Sequence, residues 1–377
     1  MTGYILRRVV QAIPVLIGIT LASFLLIHFV PGDPATIVLG AHATPEAVAS
    51  LNAQLGLDQP VITQYLDFVT GAATLDFGES IKQKTAIGPV LGDRIPVTMY
   101  LLLYAVVIAI LIAVPLAVLS ALRRNRAADH AIRLFSMVTF AMPSFLLGLL
   151  LILFFSLKLG ALPTSGYGDG LVGHLRSLTL PALTVGLYLA PILLRTLRVG
   201  IIETLDTEFI EAARARGLTE RRILFKHVLR NSLVSTVTVL GLNIGFLLSG
   251  LVIIENVFAL PGLGTELVNA VLARDYPMIQ ALTLVFGVAV IAINLLTDLA
   301  YAKLDPRVRH ERSTEQRRGR TRPPRRDRQG RGGASSPAGG DRAPQGGAHP
   351  LARDRDSRVP GIRLRRGAAA RVSQTER

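Results

Sequence analysis

Residues 97–121, VTMYLLLYAVVIAILIAVPLAVLSA, contain no charged side chain, and this run decides the class of fold. A bilayer core requires ~20 predominantly apolar residues per helix, and the run is longer than that. Further apolar runs lie at about 9–30, 132–157, 178–199, 233–257 and 279–302. The chain is therefore expected to be an all-α polytopic membrane protein with six transmembrane helices. Its expected organisation is an N-terminal helix plus external segment over 1–95, a five-helix core over 96–309 with a loop at 200–230, and a tail over 310–377.

The composition supports this division. The chain is 50% hydrophobic, lacks Cys and Trp, and carries a formal net charge of +15. From His310 to Arg377 there are 18 Arg and 7 acidic residues, so residues 1–309 hold a net charge of only +4. The basicity belongs to the tail, whose Arg, Gly, Pro and Ala content and lack of aliphatic periodicity predict disorder. A dispensable solvated tail is the expected reading; contact of its Arg clusters at 317–331 and 363–371 with anionic head groups or non-specific nucleic acid is the alternative, with no specific nucleic-acid site expected. Lack of Cys excludes disulfides, thiolate metal sites and Cys nucleophiles.

Basic residues set the expected orientation. Arg7 and Arg8 precede the first span, Arg123, Arg124, Arg126 and Arg133 separate the second from the third, and Lys303, Arg307 and Arg309 follow the sixth. The loop between the fourth and fifth spans carries Arg214, Arg216, Arg221, Arg222, Lys226 and Arg230. The alternate loops hold fewer cations, so both termini and the 200–230 loop are expected in the cytoplasm. The first apolar run exceeds a signal-peptide core of ~7–15 residues and no small-residue cleavage pattern follows it, so it is expected to be retained.

Within that loop, Glu211-Ala-Ala-Arg-Ala-Arg-Gly217 followed by Leu218 to Arg230 reads as a soluble helical hairpin. Asp206 is expected as an N-cap, and Gly217 as the left-handed stop of a helix running to Arg216. Thr219 is expected to cap a second short helix bearing Arg221, Arg222 and Lys226. Ala212, Ala213 and Ala215 keep the first helix thin enough for close approach by a partner, and Glu211 and Arg214 are spaced to pair. An ordinary amphipathic loop helix is the alternative on composition.

The external segment should hold a short helix from Thr44 to Leu55, with Thr44 as cap and Pro45 at the first helical position, and should pack on the outer mouth. Pro115, Pro143 and Pro191 are candidate kinks. His28, Asn243, Glu255, Asn294 and Asp298 are the polar residues in the spans. His28, Glu255 and Asp298 are expected near span ends close to water, and Asn243 and Asn294 as helix-to-helix hydrogen bonders. No G-x-x-x-x-G-K-[ST] phosphate loop occurs, and Pro261-Gly-Leu-Gly264 reads as a turn. No catalytic or metal-binding pattern stands out, so the chain is expected to be no enzyme, and any ATP hydrolysis to reside on another subunit.

These residues together resemble the permease subunits of binding-protein-dependent ABC importers, in the dipeptide, oligopeptide and nickel branch. That family's loop reads E-A-A, three residues, G, nine residues, I-x-L-P. Glu211, Ala212, Ala213, Gly217 and Leu229 match it, His227 stands in place of Ile and Arg230 in place of Pro, and a His-x-Leu-Arg-Asn ending is similar to the peptide-type subunits. Pro31-Gly-Asp-Pro34, Leu55-Gly-Leu-Asp-Gln-Pro60 with Gln64-Tyr65, Asp76-Phe-Gly-Glu-Ser80 and Arg94-Ile-Pro-Val-Thr98 resemble the family's N-terminal half. Glu255 to Gly264, Arg274-Asp-Tyr-Pro277 and Leu304-Asp-Pro-Arg-Val-Arg309 resemble its C-terminal signatures.

The resemblance covers residues 1–309. It implies a bacterial inner-membrane importer with a second homologous permease, two cytoplasmic ATPases carrying ATP and Mg, and an external substrate-binding protein. It also implies that Glu211, Ala212, Ala213 and Gly217 couple to the ATPase, with Arg214, Arg216 and Arg221 as further polar contacts. Di- or oligopeptides are the expected cargo. Nickel or another small solute, and an ion-coupled secondary transporter, are the alternatives, and no residue of the substrate path is assigned.

Overall fold

The computed structural model describes residues 2–29 and 33–304. Expectations for the 310–377 tail, for Pro31 and Gly32, and for 305–309 fall outside the described residues. Among those described, all regular elements are helical, with one isolated antiparallel bridge between Glu79 and Ala86.

Helix α1 (Thr2–His28) is followed by the segment holding α2 (Pro34–Leu39), α3 (Pro45–Gln54) and α4 (Val61–Thr74). Then come α5 (Ile87–Leu122), α6 (Ala127–Ala141) and α7 (Ser144–Leu151), which continues as a π-helical segment, Ile152–Lys158. Next are α8 (Gly170–Leu205), α9 (Glu208–Ala215) and α10 (Glu220–Arg222), which runs through a π-helical turn, Ile223–Val228, into α11 (Leu229–Val257). Helices α12 (Leu263–Ala273) and α13 (Tyr276–Leu304) complete the described chain.

Among the described residues, five helices are long and apolar enough to cross a membrane, and α6 with α7 makes a sixth only as a bent pair. The span expected at 132–157 is broken at the candidate kink Pro143, where α6 and the Ser144–Lys158 helix meet at 106°. The break falls on Met142 and Pro143, both with extended ψ near 134–135°. Proline pushes the residue before it out of the helical region, and Met142 obeys. Pro115 and Pro191, by contrast, lie inside uninterrupted helices.

The centre of the bundle is α5 against α8. Ala105, Ala109, Ala113, Ala117 and Ala121 recur every four residues on α5 and are all buried. Small residues at this spacing form a flat stripe against which another backbone can lie. Gly186 of α8 uses that space: a Cβ there would come within 2.8 Å of Ile108 Cγ2 and 3.1 Å of the Ala105 carbonyl.

At the end of the bundle opposite the 200–230 loop, buried carboxylates tie distant segments together. Glu255 is fully buried and accepts hydrogen bonds from Thr98 Oγ1 (2.6 Å), Gly264 N (2.7 Å) and Thr265 N (3.2 Å). Thr98 Oγ1 in turn accepts from Leu263 N at 2.9 Å. The expectation that Glu255 lies close to water is corrected. The turn Pro261–Gly264 is folded over its carboxylate, and a Cβ on Gly262 would lie 2.4 Å from it. Asp275 accepts from the Ser80 hydroxyl and from Ile81 N and Lys82 N (both 3.3 Å). Glu266 takes Gln83 Nε2 and, at 3.5 Å, Arg94 Nε.

Of the remaining intramembrane polar residues, His28 is exposed at the end of α1 and Asp298 is part-exposed, in line with expectation, whereas Asn243 differs. Asn243 donates to Val239 of its own helix at 2.7 Å, because an i−4 carbonyl is closer than any neighbouring helix. Asp298 pairs with Arg8 at 3.0 Å, joining α13 to α1. In the external segment, Thr44 Oγ1 accepts from Ala47 N at 3.2 Å, as its sequence predicts.

Candidate functional site

The 200–230 hairpin is built from the end of α8, the short α9, and the α10 start of the next span. Helix α8 continues to Leu205 and Asp206 still donates its amide to Ile202 O at 3.2 Å. Its φ, ψ of −85°, 10° are therefore those of a helix end. Thr207, at −90°, 146°, is the residue in the N-cap conformation of α9, which corrects the assignment of Asp206. The Thr207 hydroxyl bonds back to Thr204 O at 2.6 Å, so α9 begins without a side-chain cap. Thr219 likewise holds the cap conformation of α10 without a side-chain cap bond.

The other end of α9 matches its sequence closely. Gly217 N donates to Arg214 O (2.9 Å) and Leu218 N to Ala213 O (3.3 Å), the paired bonds of a Schellman stop. Gly217 has φ +76° and open space around its absent Cβ, so glycine is required for backbone conformation alone. Leu218 packs back against the core beside Ala213.

Helix α9 turns Ile210 and Ala213 inward and leaves Glu208, Phe209, Glu211, Ala212, Arg214 and Ala215 outward. Ala213 is thus a seat on the bundle, packed in one core with Ile223, Val228, Leu197 and Ile201, while Ala212 and Ala215 keep the outer face thin. The expectation that Ala213 also faces a partner is corrected: 100° per residue places 210 and 213 on one side and 212 on another.

Arg214 does not form the expected hydrogen-bonded pair with Glu211. Its Nε and Nη2 reach Glu220 at 2.8 and 3.4 Å, bracing α9 against α10, and this carboxylate raises the Arg214 pKa above its ordinary value. Arg216 and Arg221 are exposed on either side of Gly217. Arg221 lines a shallow groove of about 460 Å³ with Thr219, Arg222, Phe225 and Lys226.

The second leg is not a separate helix. It continues from Glu220 to Val257 as one apolar element with a π-helical change of register at 223–228. The hairpin therefore has unequal joints, a break at Asp206–Thr207 toward α8 and an unbroken helix toward α11. Helix α10 is thus continuous with α11, while α9 is joined to it through the turn at 216–219.

Sequence reasoning missed a buried latch beneath this hairpin. Asp129 of α6 is fully buried and takes Arg198 of α8 through two bonds, Nε to Oδ1 at 2.9 Å and Nη2 to Oδ2 at 2.8 Å. Ser120 of α5 and Asn125 N complete the shell of the carboxylate. The available signal was an arginine inside an apolar helix and an aspartate at the start of another, both calling for partners.

Comparisons with known proteins place the chain in a family. Residues 113–310 match the family of binding-protein-dependent transport system inner membrane components, and residues 1–102 match that family's N-terminal region. A protein of Brucella abortus (strain 2308) named as a peptide transport system permease is 39% identical over 314 residues, covering 82% of this chain and all of the relative. The glutathione transport system permease GsiC of Escherichia coli (strain K12) is 35% identical over 311 residues with the same coverage. A solved inward-facing MetNI methionine ABC transporter aligns with 57% of this chain and 96% of that chain, at 19% identity and a TM-score of 0.48. The chain belongs to the binding-protein-dependent transport system inner membrane components, the multi-pass permease subunits of ABC importers.

Proposed function

We propose that this permease carries di- or oligopeptides and couples their passage to ATP hydrolysis through its 200–230 hairpin. The observation that carries the coupling role is the unequal jointing of the hairpin, whose first leg is an exposed, Ala-thinned helix and whose second leg, braced to the first by Arg214–Glu220, is continuous with α11. Glu211, Ala212 and Arg216 form the outer face offered to an ATPase. Ala213 seats that face on the bundle, and Gly217 sets the angle between the legs. Arg214 braces the hairpin through Glu220, and Arg221 extends the contact into the basic groove. Relatives named for peptide and glutathione transport support a short peptide as cargo.

In this reading two cytoplasmic ATPases supply ATP and Mg, a second homologous permease completes the path, and an external binding protein delivers the peptide. The excess of Arg and Lys in the hairpin and in the 123–133 turn supports placing that end, and both termini, in the cytoplasm. Reconstitution with the partner subunits tests the reading. Peptide uptake is expected to require ATP hydrolysis, and uptake driven by an ion gradient without nucleotide would overturn it. Glu211→Lys and Gly217→Pro are expected to abolish coupled uptake while leaving membrane insertion intact. Unchanged transport in both variants would remove the hairpin from its assigned role.

A further inference from the structure

Helix α4 is amphipathic in a way that nothing within the subunit uses up. At 100° per residue, Phe68, Val61, Ala72, Tyr65, Val69, Ile62, Ala73 and Leu66 form one continuous apolar arc, and Thr70, Thr63, Thr74, Asp67 and Gln64 form the other. Half of the apolar arc is occupied. Tyr65 and Phe68 pack on Phe24 of α1, with ring centroids 5.4 and 6.3 Å away, and the Tyr65 hydroxyl meets Thr20 Oγ1 at 2.9 Å. The other half is open, with Ile62 76% and Leu66 55% exposed.

The contact with α1 fixes how deep this open face lies. The apolar stretch of α1 runs Val10–His28. Phe24 and Thr20 precede its end by four and eight residues, about 6 and 12 Å along the helix. The near end of α1 is marked by the Arg8–Asp298 ion pair, so the depth is counted from the opposite boundary. An interfacial helix buries its apolar face about 5–10 Å into the boundary between head groups and acyl chains, and α4 sits at that level.

The polar groups of α4 suit the same environment. The Thr70 hydroxyl donates to Leu66 O (2.9 Å) and that of Thr74 to Thr70 O (3.1 Å), which satisfies them within the helix. Gln64 Nε2 donates to Gln59 O at 2.8 Å. Asp67, the one charged residue of α4, lines a cavity of about 710 Å³ between α1 and the external segment, away from the open face.

We infer that α4 is an interfacial helix seated in the leaflet opposite the hairpin, with Ile62 and Leu66 against lipid acyl chains. The inference rests on membrane embedding alone and is independent of cargo and coupling. The chain lacks cysteine, so Ile62→Cys, Leu66→Cys and Thr63→Cys can each carry a single nitroxide in the full chain, assembled with its partner subunits in lipid nanodiscs. Collisional accessibility to oxygen and to a water-soluble nickel chelate then reads the environment. Oxygen is expected to exceed the chelate at 62 and 66, at a depth of about 5–10 Å, and the order to reverse at 63. Chelate access at 62 and 66 equal to that at 63 would overturn the inference by placing the face in water. Exclusion of both reagents there would overturn it by placing the face against another protein subunit.

Discussion

The two ends of this bundle are held by different means. Opposite the hairpin, bonds join residues far apart in sequence: Thr98 to Glu255, Ser80 to Asp275 and Gln83 to Glu266, with all three carboxylates buried and those of Glu255 and Asp275 also held by backbone amides. At the hairpin, the polar brace of the loop itself joins Arg214 to Glu220, six residues on, and both side chains are open to solvent. Its hold on the bundle is chiefly apolar, through Ile210, Ala213, Ile223 and Val228, with an exposed Arg124–Asp206 pair at 3.6 Å and the Thr204 and Ser232 hydroxyls at 3.3 Å beside it. Apolar contact is non-directional and tolerates small displacement, whereas a buried carboxylate with three fixed donors does not. The first end is held by directional buried bonds and the second chiefly by non-directional contact, a difference that suits the coupling proposed for the hairpin.

The Asp129–Arg198 latch is the exception at the hairpin end, and removing it should have one of the two largest effects. Arg198→Met leaves the buried Asp129 carboxylate with only the more distant Arg133, at 3.7 Å, as a cation and is expected to cost about 3 kcal/mol in unfolding. Adding Asp129→Leu should recover much of that loss, since no charge is then stranded. A double variant as unstable as the sum of the singles would mean that the pair is not coupled. Glu255→Ala leaves Thr98, Gly264 and Thr265 donors unpaired and should cost about 3 kcal/mol or more at about 1–3 kcal/mol per group, read as a fall in thermal unfolding temperature in nanodiscs. A negligible change there would break the contrast between the ends.

Smaller effects probe the hairpin. Gly217→Val meets no neighbour but must adopt φ +76°, so about 1–2 kcal/mol is expected. Gly217→Asn should cost less, because Asn tolerates that region. Glu220→Ala, which frees Arg214, should leave the unfolding temperature unchanged while lowering the ATP-driven uptake rate. A stability loss matching that of Glu255→Ala would show the exposed brace to be as rigid as the buried end.

The features legible in sequence are local ones. Thr44 caps its helix, Gly217 stops α9, and Pro143 marks a candidate break, because each acts on its own backbone within a turn. Asp206 misled because α8 extends to Leu205, its last turns packed on Ser232 of α11 through Gly200 and Thr204. Glu211 and Arg214 had the right spacing to pair, yet the fold brings Glu220 close enough to take the guanidinium. Ala213 looked equivalent to Ala212 until the core occupied one side of the helix.

By itself the sequence determined the membrane class, the positions of the apolar runs, the Gly-terminated hairpin and the family. Hydrophobic length and backbone preference act within a few residues of one another, so they can be read along the chain. Tertiary structure alone decided that Glu255 is enclosed, that Asp129 meets Arg198, that the third apolar run bends by 106°, and that the hairpin's second leg is the beginning of α11. A buried charge must find a partner, and which residue supplies it is set by chain segments that approach only when the helices pack.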